Sequence, residues 1–420
     1  MAPSLVTAGS SATVFSTLHP PWPGAQHRLA TTYRRTAAKT LLEIGLIRGA
    51  PGERATRRFD GTVLLDTHVY PRALDLDHLL AVGMFSQWLF FLDDEYDEHP
   101  TMGRDPGAVR KLMTLVFDVL DSGMLPARPT PFLHFTASVR RRLDGLAPPG
   151  WTVRFLGHVK DYLFRGSLRA VEYWALDRVP SLDEYLRVRM LDSAVFPALD
   201  MSEIAGGLRL PDAVRKHPLL VELKDLAVRY IAYVNDIFSY QKEVLLAGTS
   251  FNLIHVLMHE NASSFEEAVK AAAGIVRDAL ERFVTLEQSL PVWDPSVAPQ
   301  VTAYIAGMKA WMRGSFDFSL TSARYNAPDS PFPELRKERQ TTIFRAFPEV
   351  SAIESARNRL RSASRRTITF SEGTTIATTA KPPSQRWSRG QSLDDAPLSR
   401  RGAPPSVRSA PERHSQPPSQ

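Results

Sequence analysis

Cysteine is absent from all 420 residues. That excludes disulfides and thiolate metal sites, so any metal ion must be held by oxygen or by histidine nitrogen. No run of about 18 apolar residues occurs, and no membrane span is expected. The opening residues, MAPSLVTAGSSATVF, lack the basic start and long apolar segment of a signal peptide, and the expected compartment is the reducing cytoplasm. No internal repeat is visible. No Ser-His-Asp or Cys-His arrangement points to a protein nucleophile.

A net charge of +6 would suit a nucleic-acid partner, but its location argues against one. Residues 351–420 hold 12 Lys/Arg and 5 Asp/Glu, a net of +7. The first 350 residues therefore carry −1, the difference between +6 and +7. The tail has a lone aromatic of note, Trp387, not the interleaved aromatics of a single-strand binder. No nucleic-acid partner is expected.

Composition divides the chain into three. Residues 1–25 are rich in Ser, Thr and Pro and close on HPPWPG; they read as a flexible N-terminal segment. Residues 26–350 are richly apolar. Residues 351–420 form a basic Ser/Pro/Arg-rich tail with too little apolar surface to offset its chain entropy, and are expected to be disordered. The middle region reads as helix after helix. Ser181/Glu184 and Ser264/Glu267 are Ser-x-x-Glu capping boxes opening apolar-periodic stretches. The pattern from His217 onward runs as one long helix to Gly248, a C-cap candidate. Convincing alternating strands are missing, so the class is all-α, with a single large bundle preferred to two domains.

Two stretches carry chemistry. FFLDDEYDEHP, Phe90 to Pro100, places Asp93 and Asp97 four residues apart on one helical face. Leu89 and Phe85 continue that face toward the N-terminus, with Phe90 beside it. A solvated helix end is the ordinary reading of such an acidic cluster. Carboxylates that continue an apolar face instead suggest a cation at the mouth of a cavity, and Mg2+ suits such oxygens. VNDIFSYQKE, Val234 to Glu243, sets Asn235, Ser239 and Glu243 at i, i+4 and i+8. On a regular helix they make one line spanning about 12 Å. Amide, hydroxyl and carboxylate oxygens in a row suit a second hard-metal site. Lys242 sits beside the line, within reach of a phosphate.

The sequence resembles the class I terpene synthases of bacteria. Asp93-Asp94-Glu95-Tyr96-Asp97-Glu98 looks like their aspartate-rich motif. Asn235 to Glu243 matches their ND-x-x-S-x-x-x-E triad at every defining position. The family's diphosphate-sensing arginine lies 46 residues before the triad asparagine, and Arg189 stands there. Its linker aspartate would be Asp192 and its effector position Ser193. Arg324-Tyr325 resembles the family's C-terminal Arg-Tyr pair. The likeness covers about residues 26 to 330.

That resemblance implies a single-domain helical bundle around an apolar active-site cavity. It implies three Mg2+ ions, with Mn2+ as a substitute, and an isoprenyl diphosphate substrate. Asp93, Asp97, Asn235, Ser239 and Glu243 would hold metal. Arg189, Asp192 and Ser193 would serve catalysis. Arg189, Lys242, Arg324 and Tyr325 would bind diphosphate, and Phe90, Trp311 and Phe318 would face the carbocation. Trp88 and Phe91 are expected to point elsewhere. Farnesyl diphosphate is the expected substrate and a sesquiterpene the expected product, with geranylgeranyl diphosphate as the alternative. A chain-elongating prenyl diphosphate synthase would carry a second aspartate-rich motif in place of the Asn/Ser/Glu triad. A non-catalytic helical scaffold with a basic tail is the reading of another class. A monomer and a homodimer both fit.

Overall fold

Both capping boxes form. The Ser181 hydroxyl accepts from the Glu184 N–H at 3.3 Å, and the Glu184 carboxylate accepts from the Ser181 N–H at 3.2 Å. Ser264 and Glu267 repeat the exchange at 3.3 and 2.9 Å. Each box satisfies helix-start donors that would otherwise lack a partner. A computed structural model describes residues 12–49, 54–96, 102–322 and 324–336, all within one compact unit, Met1–Arg365. The tail expected over residues 351–420 lies outside the described residues.

Fifteen α-helices and no strand occur among the described residues. They are α1 (Ala12–Leu18), α2 (Ala30–Ile44), α3 (Arg54–Val69), α4 (Leu76–Tyr96), α5 (Pro106–Ser122), α6 (Pro131–Asp144), α7 (Trp151–Asp161) and α8 (Leu168–Ala175). Then come α9 (Leu182–Asp192), α10 (Val195–Ala205), α11 (Asp212–Arg215), α12 (Pro218–Tyr240), α13 (Leu253–Glu260), α14 (Phe265–Gln288) and α15 (Ala298–Thr321). The all-α expectation holds.

Helix α12 is packed by α14 and α15, with α9, α10 and α13 beside it. Helix α4 packs on α3, α6 and α10, and α3 closes the ring against α15. The core sits between these elements. On α4, Trp88 is fully buried, stacks on Phe85 and Phe132, and donates its indole N–H to Thr136 at 2.9 Å. Phe91 turns edge-on to Phe135. Burying each such ring stabilises the fold by roughly 1.5–3 kcal/mol.

Three departures from the sequence reading matter. The stretch read as a flexible N-terminal segment contains α1, whose Phe15 stacks on Phe238 at 4.5 Å. Tyr230 donates to the Leu18 carbonyl at 2.7 Å, and Arg313 donates to the Pro20 carbonyl at 3.3 Å. Two apolar anchors, Phe15 and Leu18, thus hold a segment whose composition suggested freedom. Second, Phe85, one turn from Leu89 on α4, does not reach the cavity; it packs between Trp88 and Phe155. Third, two helices widen into π-helix, over Tyr162–Ser167 between α7 and α8 and over Gln241–Leu246 at the end of α12. The long helix read up to Gly248 is therefore not uniformly α, although Gly248 does adopt the left-handed conformation, φ 71°.

A buried polar staple joins α2, α3 and α4. Tyr33 donates to Asp66 Oδ2 at 2.5 Å and Gln87 Nε2 donates to the same oxygen at 2.9 Å. Thr62 donates to Gln87 Oε1 at 2.9 Å. Gly83 leaves room for the Tyr33 phenol, which a Cβ at that position would strike. Burial pushes the Asp66 carboxyl up to about 7, against the donors of Tyr33 and Gln87. A carboxyl raised on folding contributes stability that is full below about pH 4 and lost as pH rises to about 7. Thermal melts of wild type and Asp66→Asn between pH 5 and pH 8 check this: wild-type Tm falls relative to the variant as pH rises. A constant difference would show that Asp66 does not titrate there.

Candidate active site

The helices of the ring leave a cavity of about 460 Å3 between them. Its body is apolar. Leu65 comes from α3, Leu89 and Phe90 from α4, Val195 and Ala198 from α10, and Trp311 and Phe318 from α15. Its mouth is polar and lies where α4, α9, α12 and α15 end. Asp93 comes from α4, Arg189 and Asp192 from α9, Asn235 from α12, and Lys242 and Glu243 from the π segment that follows. Ser193, Arg324 and Tyr325 complete the expected set.

Asp93 is held from two sides. Tyr162, at the start of the first π segment, donates to Asp93 Oδ1 at 3.1 Å, and Tyr96 donates to it at 3.4 Å. Burial pushes the Tyr162 phenol well above its ordinary value, with the negative charge of Asp93 adding to the effect. It stays neutral and keeps its proton to donate. Gly166 in the same segment lets it press against the backbone of Leu191 and Asp192, where a Cβ would collide. One short π-helix therefore touches both the Asp93 wall and the end of α9.

Arg189 ties α9 to α12. It donates through Nε to Asp236 at 2.8 Å, through one terminal nitrogen to Asp192 at 3.2 Å, and through the other to Asn235 Oδ1 at 3.0 Å and the Ala232 carbonyl at 3.4 Å. Four of its five N–H groups are thus engaged. Burial is the largest single influence and would lower its pKa, but Asp236, Tyr185, Asp192 and Glu243 together outweigh it, and the net direction is upward. Burial pushes Asp236 up to about 6, opposed by Arg189. Asp236 also accepts from the Tyr185 phenol and from the Leu253 N–H at 3.2 Å. After Ser193 the chain breaks: Ala194 takes a left-handed conformation, φ 57°, at a cost of about 1 kcal/mol or more.

On α12, Asn235 Nδ2 donates to the Tyr325 hydroxyl at 2.9 Å. Glu243 accepts from Asn252 at 3.3 Å. Ser239 is buried, its hydroxyl has no hydrogen-bond partner, and it does not line the cavity. Of Asn235, Ser239 and Glu243, the first and last line the cavity, and the π segment begins between Ser239 and Glu243. In a pure α-helix each step of four residues overshoots by about 40°; the wider turn takes back part of that drift and brings Glu243 to the cavity. Arg324 lies over the Phe90 ring at 5.1 Å, so that ring already faces a cation. Asp97 lies outside the described residues. Trp88 and Phe91 point away from the cavity, as expected.

Sequence reasoning missed Tyr96, Tyr162, Trp174, Phe251 and Ser86, all of which line the cavity. Tyr96 and Ser86 were legible in principle, three residues after and seven before Asp93 on one helix. Tyr162 is 69 residues from Asp93, and no local signal announces it. Among the described residues no three His, Asp or Glu side chains converge on one metal position. The oxygen donors that line the mouth are Asp93 on one wall and Asn235 and Glu243 on the other. Together with the unpartnered hydroxyl of Ser239, this set fits a hard cation.

Residues 84–282 match the family model described as "Terpene synthase family 2, C-terminal metal binding". The chain is similar to the 10-epi-cubebol synthase of Sorangium cellulosum, 34% identical over 63% of this chain and 84% of that protein. It is also similar to the (+)-T-muurolol synthase ((2E,6E)-farnesyl diphosphate cyclizing) of Roseiflexus castenholzii, 31% identical over 62% of this chain and 79% of that one. Among solved structures, germacradien-4-ol synthase from Streptomyces citricolor shares the fold. Its TM-score is 0.62 at 23% identity, covering 72% of this chain and 97% of that one.

Removing Arg189 leaves Asp236 buried without its cation. Arg189→Ala is expected to lower stability by about 3–5 kcal/mol, measured as a shift in the urea unfolding midpoint. An unchanged midpoint would show that the Arg189 fork does not hold α9 to α12.

Proposed function

We propose, from the premise that this chain belongs to the terpene synthase family, that it ionises farnesyl diphosphate and cyclises the resulting allylic cation, releasing diphosphate. As a terpene synthase it is a carbon–oxygen lyase acting on phosphates. The observation that carries the substrate reading is one cavity with two unlike ends: Asp93, Asn235, Glu243 and cationic side chains at the mouth, and an apolar, aromatic body behind them.

The two ends divide the chemistry. Asp93 on one wall, with Asn235, Ser239 and Glu243 on the other, are the residues that would hold Mg2+. Three ions are expected by family resemblance, with Mn2+ as a substitute and Asp97 as a further ligand. Such cations, when bound, neutralise the charge that develops on the leaving diphosphate. Lys242, Arg324 and Tyr325 donate to the diphosphate oxygens, with Arg189 contributing as its bonds to Asp192 and Asn235 rearrange. Asp192 and Ser193 position the end of α9 for that change. Behind them the apolar body excludes water, and Trp311, Phe318 and Phe90 offer ring faces that stabilise a cation without attacking it. The farnesyl chain is preferred because a relative 31% identical to this chain is named for cyclising it.

Purified protein incubated with geranyl, farnesyl and geranylgeranyl diphosphate, with Mg2+ or with a chelator, tests the reading by gas chromatography–mass spectrometry. A cyclic C15 product from farnesyl diphosphate, lost on chelation, is expected. Asp93→Asn and Asn235→Ala should each cut turnover by about 10²-fold or more with circular dichroism melts near wild type. A C20 product would move the substrate, and full activity in both folded variants would sink the site assignment.

A further inference from the structure

We propose that Ser86 and Asp66 form a proton relay that ends the reaction, taking a proton from the cyclised carbocation at the apolar end of the cavity. This rests on the ionisation reading above and adds the group that closes the chemistry.

Placement comes first. Ser86 is seven residues before Asp93 on α4, so it faces the same side about 10 Å further along the helix. It lines the cavity and is buried. Its own hydrogen bond, to the Val82 carbonyl, is long at 3.5 Å. Behind it lies Asp66, whose neighbour Leu65 lines the cavity and whose own side chain is fully buried. Gln87, the residue after Ser86 on α4, donates to the Asp66 carboxyl at 2.9 Å, which sets Ser86 near that carboxyl with no hydrogen bond between the two in the resting structure.

The distribution of donors on Asp66 gives the relay its direction. Tyr33 and Gln87 both donate to Oδ2. Oδ1 is buried and has no partner. A carboxylate oxygen that accepts nothing is the more basic of the two, and leaving it bare in the core is costly. A fold that needed only a staple between α2, α3 and α4 would be served by the Oδ2 bonds alone. Burial, opposed by those donors, places the carboxyl at about 7, so both protonation states are accessible near neutral pH.

The step balances. A C–H bond next to the cationic carbon breaks, and its electron pair becomes the new C=C bond. That proton passes to Ser86 Oγ while the hydroxyl proton moves to Asp66 Oδ1, giving the neutral acid. When product leaves and water enters, Asp66 returns the proton and the carboxylate is restored. The released diphosphate, held at the mouth, is about two helical turns away from carbons at this depth. Ser86–Asp66 therefore serves positions that diphosphate does not reach.

Wild type, Ser86→Ala and Asp66→Asn would be incubated with farnesyl diphosphate and Mg2+. Products and released diphosphate would be measured in the same vials. Diphosphate release within about threefold of wild type is expected in both variants. The share of the main wild-type product should fall by about fivefold or more, replaced by olefins deprotonated elsewhere or by water-captured alcohols. Two folded variants with the wild-type product profile would overturn the relay. So would a parallel loss of release and all products at fixed ratios, which marks a structural role. Should Asp66→Asn fail to fold, Ser86→Ala decides, since it keeps both donors on Asp66 Oδ2. Wild-type protein that releases no diphosphate would overturn the ionisation reading itself, an outcome distinct from an unchanged product profile.

Discussion

One guanidinium organises the mouth of the cavity. Arg189 sits at the end of α9 and reaches Asp236, Asp192, Asn235 and a carbonyl of α12 at once. A lysine could not replace it, because a point charge with three donors cannot present a planar fork to several acceptors. The cost of burying that charge is offset by Asp236, itself buried and satisfied by Tyr185 and the Leu253 N–H. Without the fork, the Asn235 amide would keep only its bond to the Tyr325 hydroxyl, and the wall opposite Asp93 would be held less firmly. Because almost every N–H is already committed, any new acceptor at the mouth must compete with Asp192 or Asn235. Substrate binding and the position of α9 are thereby linked through one residue.

Around that fork, irregular helix does the aiming. The π segment Tyr162–Ser167 supplies Tyr162 to Asp93 and, at Gly166, presses on the backbone of Asp192. The π segment Gln241–Leu246 turns Lys242 and Glu243 into the cavity. The left-handed Ala194 redirects the chain between α9 and α10. Regular helices would point these groups along fixed 100° steps; single wide turns at functional positions free them from that register. Such departures are tolerated because the surrounding rings and apolar side chains are densely packed and buried.

The polar interior behind the cavity has a different character from the mouth. At the mouth, cations and acids compensate one another. Behind the body, Asp66 has two neutral donors and, among the described residues, no cation paired with it. Burial raises both Asp236 and Asp66; the Arg189 guanidinium opposes it at Asp236, whereas only neutral donors oppose it at Asp66.

The sequence by itself determined the helical class, the capped starts of α9 and α14, and the identities of Asp93, Arg189, Asn235, Lys242, Glu243, Arg324 and Tyr325. The caps and the spacings around Asp93 and from Asn235 to Glu243 are local signals that survive folding unchanged, whereas Arg189, Arg324 and Tyr325 are implied by the family resemblance. Tertiary structure alone decided the rest. It turned Phe85 into the core and Ser86 toward the cavity, packed α1 against Phe238, and put Glu243 in the cavity lining while the Ser239 hydroxyl lies buried and unpartnered. It also brought Tyr162 to Asp93 and Tyr33 to Asp66. These pairings join elements far apart in the chain, and the choice among faces of a nearly all-apolar helix such as α4 depends on which neighbour fills each side. Periodicity cannot distinguish a face that meets another helix from a face that meets a cavity, because both are apolar.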